Sequence, residues 1–107
     1  MNLILIPVYN DWMSLNKLLL KINSSLKNKS STKILIVDDF STIKMKINKK
    51  NLSKIKEIKV LRLKKNIGSQ KAIAFGLHYL NQKKNYKFIT IMDGDGEDDP
   101  LQIKKML

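Results

Sequence analysis

No cysteine occurs in this chain, which excludes disulfides, thiolate metal sites and cysteine nucleophiles. Nor is there a long hydrophobic run. The longest apolar stretches are four to six residues, against the ~20 needed for a helix to cross a bilayer. Met1 leads almost directly into the first of these stretches with no basic n-region, so no signal peptide is read and the default location is the cytosol. Arginine is nearly absent, with Arg62 the only one, and no aromatic residue falls between Phe40 and Phe75. Nucleic-acid surfaces interleave arginines and exposed aromatics with lysines, so nucleic acid is not an expected partner. Carboxylates are few as well: nine acidic residues stand against 21 basic ones, for a formal net charge of +12. Much of that charge lies between Lys44 and Lys65 in a stretch rich in lysine, isoleucine and asparagine. A solvated surface is its simplest meaning, with weak attraction to an anionic membrane face as the second.

What the chain does have is an uneven placement of those few acids. Eight of the nine follow three short apolar runs: Asp11 after LILIPVYN, Asp38 and Asp39 after KILIV, and Asp93, Asp95, Glu97, Asp98 and Asp99 after KFITIM. Continuous apolar runs bounded by polar turns read as buried parallel strands. In open parallel sheets, ligands bind beyond the carboxyl ends of the strands. Carboxylates gathered there repel one another unless a cation or a donor-rich ligand lies between them.

At 107 residues the chain is one domain at most, with a modest core. Strands are expected at Leu3 to Val8, Lys33 to Val37, Ile58 to Leu63 and Phe88 to Met92. Asp11 can cap a helix whose Trp12, Leu15, Leu18, Leu19, Ile22 and Leu26 recur at helical spacing. A second helix is expected from Ser69 to Leu80, burying Ala72, Ile73, Phe75, Gly76, Leu77 and Leu80. A short helix is also expected at Leu52 to Ile55, and a last one from Pro100 with Asp99 as its cap. Alternating strands and helices give an α/β fold with a parallel sheet and right-handed crossovers, the strands ordered 3-2-1-4. The switch point then falls between the first and fourth strands, which places Tyr9 and Asp11 near Asp93. The chain stops as the last helix begins, so a fragment or truncated product is expected.

Four motifs carry chemistry. In Asp93-Gly94-Asp95-Gly96-Glu97, carboxylates alternate with glycines and can turn several oxygens toward one hard cation such as Mg²⁺ or Mn²⁺. An EF-hand is excluded, because counting twelve positions from Asp93 puts Lys104 where the bidentate glutamate belongs, and the preceding segment is strand-like. Asp98 and Asp99 read as helix-capping residues. Asp38-Asp39 ends a buried strand, where a carboxylate can accept from nucleobase N–H groups or ribose hydroxyls; an Asx-type turn with Ser41 is the structural alternative. Pro7-Val8-Tyr9-Asn10-Asp11 offers a ring on which a base could stack. Asn66-x-Gly68 opens a helix whose free N–H groups favour anions, phosphate included. Lys71 reads as a surface lysine and His78, the only histidine, as structural.

Taken together, these motifs resemble the amino-terminal part of family 2 glycosyltransferases with the GT-A fold, a Rossmann-like α/β architecture. The resemblance rests on Ile6 to Asp11, Val37 to Thr42, Asn66-x-Gly68 with Ala72 and Gly76, and Met92 to Pro100, in the family's order across nearly the whole chain. Asn66-Ile67-Gly68-Ser69-Gln70 and the acidic loop running into Asp99-Pro100 are similar to the dolichyl- or polyprenyl-phosphate sugar transferases. The resemblance implies a UDP- or GDP-sugar donor held by Pro7, Tyr9, Asp11, Asp38, Asp39, Asp93 and Gly94. It further implies a divalent cation, Mg²⁺ or Mn²⁺, on Asp93, Asp95 and Glu97, and a lipid-phosphate or glycan acceptor met at the inner membrane face.

Two departures stand out: Phe40 occupies a position where the family commonly has glycine, and Ser69 one where it often has lysine. The family's acceptor half would lie beyond residue 107, so no residue is assigned as catalytic base. A nucleotidyltransferase would need a glycine-rich, lysine-bearing loop after the first strand, and Pro7 to Asp11 contains no glycine. A fragment that binds nucleotide and metal without transferring sugar stays open.

Overall fold

A computed structural model of the chain describes residues 2–26, 31–83, 86, 88–92 and 105–106. Its elements are β1 (Asn2–Val8), α1 (Trp12–Ser25), β2 (Lys33–Asp38), β3 (Glu57–Arg62), α2 (Ser69–Lys83), β4 (Phe88–Ile91) and β5 (Lys105–Met106). They build one sheet in the order β3-β2-β1-β4-β5. The first four strands are mutually parallel, and β5 runs antiparallel to β4 at its edge. The expected order of the parallel strands is therefore the observed one.

Side chains on β1 and β2 alternate between two apolar layers, as the pleat requires. Ile4, Ile6, Val8, Ile34 and Ile36 pack with Trp12, Leu15, Leu19 and Ile22 of α1. Leu3, Leu5, Leu35 and Val37 pack on the opposite face with Ala72 and Leu80 of α2, joined by Ile89 and Ile91 of β4. The first crossover moves outward from β1 to β2 and the second returns from β3 across to β4. Right-handed connections then put the two helices on opposite faces. The central strands are buried on both sides, which is why they read as unbroken apolar runs. β3, the outer strand, has no fully buried residue: Glu57, Lys59 and Arg62 are exposed and Ile58, Val60 and Leu61 half-buried.

Several expectations are corrected. Leu52 to Ile55 is a turn, with Leu52 and Ile55 buried against the α1 layer. Its backbone donors bond elsewhere: Lys54 N–H to Asn23 Oδ1 and Lys56 N–H to the Thr32 carbonyl, leaving only a three-residue Ile55-to-Leu52 bond. Phe75 is 47% exposed rather than buried. The contact line of α2 runs through Ala72, Gly76 and Leu80 at four-residue spacing, and Phe75 falls to its side. A Cβ on Gly76 would come within 2.7 Å of Leu5 Cδ1 and 2.9 Å of Val37 Cγ2, so α2 lies closer to the sheet than any other residue there would permit. Lys105–Met106 pairs as a strand with Phe88 and Ile89, where a helix was expected to continue. Asp99 and Pro100 lie outside the described residues.

Candidate functional site at the carboxyl edge of the sheet

The parallel strands β1 and β2 end side by side, with Val8 in register with Asp38. β4 stops sooner: its last pair is Ile91 with Leu5, followed by a bond from Met92 N–H to the Leu5 carbonyl. Leu5 thus turns its peptide groups toward β4, and Pro7, two residues on, turns its nitrogen the same way. A proline is tolerated in this central strand because its missing N–H falls just past the point where pairing with β4 ends. Pro7 lies at the gap between diverging connections, where open α/β sheets bind ligands.

The two loops that follow β1 and β2 are knitted together. Asn10 adopts a left-handed conformation, φ 62°, which asparagine tolerates better than most residues. Its backbone N–H donates to Ser41 Oγ at 2.8 Å. Its side-chain oxygen accepts from the backbone N–H groups of Thr42 and Ile43 at 2.7 and 2.9 Å. Tyr9 is 48% exposed at this edge. Asp11 caps α1, accepting from Ser14 N–H at 3.1 Å, and stays exposed.

Asp38 and Asp39 take a different part from these. Both are buried, at 1% and 3% exposure. Asp38 Oδ1 accepts from Ser41 N–H at 2.9 Å, so Ser41 is bonded to Asp38 and not to Asp39 as an Asx-type turn would have it, while Asp38 Oδ2 faces Arg62 Nη1 at 3.7 Å. Asp39 Oδ1 accepts from Ile67 N–H at 2.8 Å, and its Oδ2 accepts from Gly68 N–H at 2.8 Å and Asn66 Nδ2 at 3.1 Å. The anion at the Asn66-x-Gly68 turn is therefore the chain's own Asp39 carboxylate, in the place where an external phosphate was expected. A buried carboxylate with three N–H donors is well compensated. Gly68 has φ 89° with open space around its Cβ position, so glycine is required there by backbone conformation rather than by crowding.

Phe40 also has positive φ, 60°, which accounts for glycine being the common residue at this position of the family pattern. Its ring is exposed and lies under the Arg62 guanidinium, 5.3 Å from ring centroid to Cζ. Arg62 further donates from Nη2 to the Ser41 carbonyl at 3.2 Å. One side chain at the end of β3 thus holds Asp38, Phe40 and Ser41 in place.

Asn10, Ser41 and Asn66 fell within motifs read from the sequence but were given no role of their own there, and Arg62 was not singled out; the role of all four is to fix the loops. A local signal existed for Arg62, the only arginine of a lysine-rich chain, standing at the end of a strand. Asp93, Gly94, Asp95 and Glu97 lie outside the described residues. Among the described residues no group of three or more metal-ligating side chains lies together.

Comparisons with known proteins agree with this architecture. The family model described as glycosyl transferase family 2 matches residues 3–107. An uncharacterized protein of Methanocaldococcus jannaschii is 32% identical over 112 aligned positions, covering 96% of this chain and 44% of that protein. The chain thus spans less than half the length of that relative. The crystal structure of S. aureus TarS superposes with a TM-score of 0.65 over 88% of this chain and 16% of TarS, at 22% identity, a likeness of fold.

Proposed function

The chain belongs to glycosyl transferase family 2, and from that membership we propose that it forms the donor-binding part of a GT-A domain that transfers a sugar from a UDP- or GDP-sugar. The acceptor-binding part, and with it the catalytic base, would come from sequence outside these 107 residues. The observation that carries this reading is the convergence of the Pro7–Asp11 and Asp38–Thr42 loops, cross-bonded through Asn10, beside the end of β4. Exposed Tyr9 offers a ring to the base, and exposed Asp11 a carboxylate. Asp38 and Asp39, buried and bonded to Ser41, Arg62 and the Asn66-x-Gly68 turn, fix the shape of the loops, and their part in holding the nucleoside is through that shape.

Asp93, Asp95 and Glu97, with Gly94 between them, supply a hard all-oxygen donor set that fits Mg²⁺ or Mn²⁺ better than any softer metal. When bound, the cation would offset the charge that grows on the nucleoside diphosphate as it leaves the sugar. The acceptor of this reading is a polyprenyl phosphate or a glycan, with a peripheral membrane contact bringing a lipid-borne acceptor to the donor. No helix among the described residues is long and apolar enough to cross a bilayer.

Calorimetric titration of UDP, GDP and their sugar conjugates, with and without Mn²⁺, tests the donor site. Binding of one nucleotide that requires Mn²⁺ and disappears in Asp95→Ala is the expected result. A folded chain that binds none of them overturns the reading.

A further inference from the structure

We infer that the outer side of α1, with the loop 43–50 strapped along it, is a docking surface for an anionic lipid membrane. Among the described residues, carboxylates are nearly missing from this side. Of the four acids among the described residues, Asp38 and Asp39 are buried, Glu57 opens β3, and only Asp11, at the very start of α1, lies near it. Lys17 and Lys21 of α1 and Lys44 and Lys46 of the loop are all exposed here.

Four large apolar side chains stand among those lysines: Met13 at 71%, Ile43 at 55%, Leu20 at 48% and Met45 at 47% exposure. Exposed apolar residues scattered singly over a surface need no explanation, whereas a gathered set marks an interaction site. The set is gathered because the loop is fixed to the helix. Trp12 Nε1 donates to the Ile43 carbonyl at 3.0 Å, and Asn16 Nδ2 to the Lys46 carbonyl at 2.8 Å. Asn16 Oδ1 accepts from Asn48 N–H at 2.9 Å, and Asn23 Oδ1 from Lys54 N–H at 2.9 Å. Met13 and Leu20 each precede one of these two asparagines by three residues, so they share the loop side of α1.

The chemistry of the patch selects its partner. Apolar knobs between lysines suit an interface where the knobs enter the acyl boundary and the ammonium groups stay with anionic headgroups. RNA would call for stacking rings and arginines, and the patch has neither. Protein interfaces are depleted in lysine at their centres. The patch begins at Ile43, whose N–H is bonded to Asn10, and so adjoins the carboxyl edge of the sheet. A membrane lying on it would hold a lipid-borne acceptor beside the proposed donor site.

This inference deepens the membrane contact of the reading above and fails separately from it, because donor binding is measured without vesicles. The test is flotation of the full chain, without nucleotide, with phosphatidylglycerol-rich and with pure phosphatidylcholine vesicles. Wild type is expected to float with the anionic vesicles, less so as salt rises. Lys44→Gln with Lys46→Gln should weaken binding about thirtyfold, at roughly fivefold per lysine near an anionic surface. Met13→Ser with Ile43→Ser should weaken it at every salt concentration. Lys64→Gln with Lys71→Gln, exposed lysines outside the patch, should leave it nearly unchanged. Equal losses in both lysine pairs, equal binding to neutral vesicles, or binding of a single-stranded RNA oligomer in place of vesicles would each overturn the inference.

Discussion

Asp39 makes the most demanding prediction, because its carboxylate joins the end of β2 to the start of α2 across 27 to 29 residues of sequence. Replacing it with asparagine keeps the shape and one carbonyl oxygen but turns an NH₂ group toward donors that need an acceptor. Ile67 N–H sits on one oxygen, while Gly68 N–H and the Asn66 amide sit on the other. Whichever way the new amide is oriented, at least one backbone N–H loses its partner in a site only 3% exposed. A hydrogen bond to a charged group contributes about 1.5–3 kcal/mol, and an orphaned buried donor costs about 1–3 kcal/mol. Asp39→Asn is therefore expected to destabilise the fold by about 2–4 kcal/mol. That is a large fraction of the ~5–15 kcal/mol typical of a small domain. Asp39→Ala should cost at least as much. Urea denaturation followed by circular dichroism measures it: the midpoint should fall while the slope stays that of wild type. An unchanged midpoint in Asp39→Asn would refute the assignment of these three bonds, and with it the claim that Asp39 is the anion at the α2 turn.

Two further substitutions probe how closely the elements fit. Gly76→Ala adds a methyl group 2.7 Å from Leu5 Cδ1, and overpacking by about 1–3 kcal/mol should exceed the ~1 kcal/mol gained in helix propensity. A higher thermal midpoint in that variant would mean that α2 does not rest on β1 and β2 as described. At Phe40, the alanine variant loses the ring under Arg62 yet keeps a Cβ at φ 60°, whereas the glycine variant loses both. Phe40→Gly should be the more stable of the two by about 1 kcal/mol in thermal melts, and the reverse order would contradict the left-handed conformation.

Much of this was legible in the sequence because burial on both faces leaves a plain signature. The runs at Leu3, Lys33 and Phe88 read as inner strands, and the acids after the first two marked the carboxyl edge, while those after the third lie outside the described residues. Asp11 was readable as a cap because capping is local, three residues to Ser14. What stayed hidden depends on distant partners. The Leu52 to Ile55 segment has helical spacing, but Lys54 N–H is claimed by Asn23 and the next N–H, of Lys56, by Thr32. The Asn66-x-Gly68 turn looked like an empty anion site because nothing local shows that Asp39 fills it. Asn10, bonded across 31 to 33 residues to Ser41, Thr42 and Ile43, looked like any loop asparagine. Phe75 looked buried because spacing alone does not reveal that Gly76 narrows the contact line.

The most direct test of the donor site is a nuclear magnetic resonance titration of the isotope-labelled chain with UDP or GDP and Mg²⁺. The account predicts amide shifts concentrated at Tyr9, Asn10 and the loop from Asp39 to Thr42, with the amino ends of the strands at Lys33 and Glu57 silent. Shifts centred on those amino ends, with the carboxyl-edge loops unmoved, would contradict it.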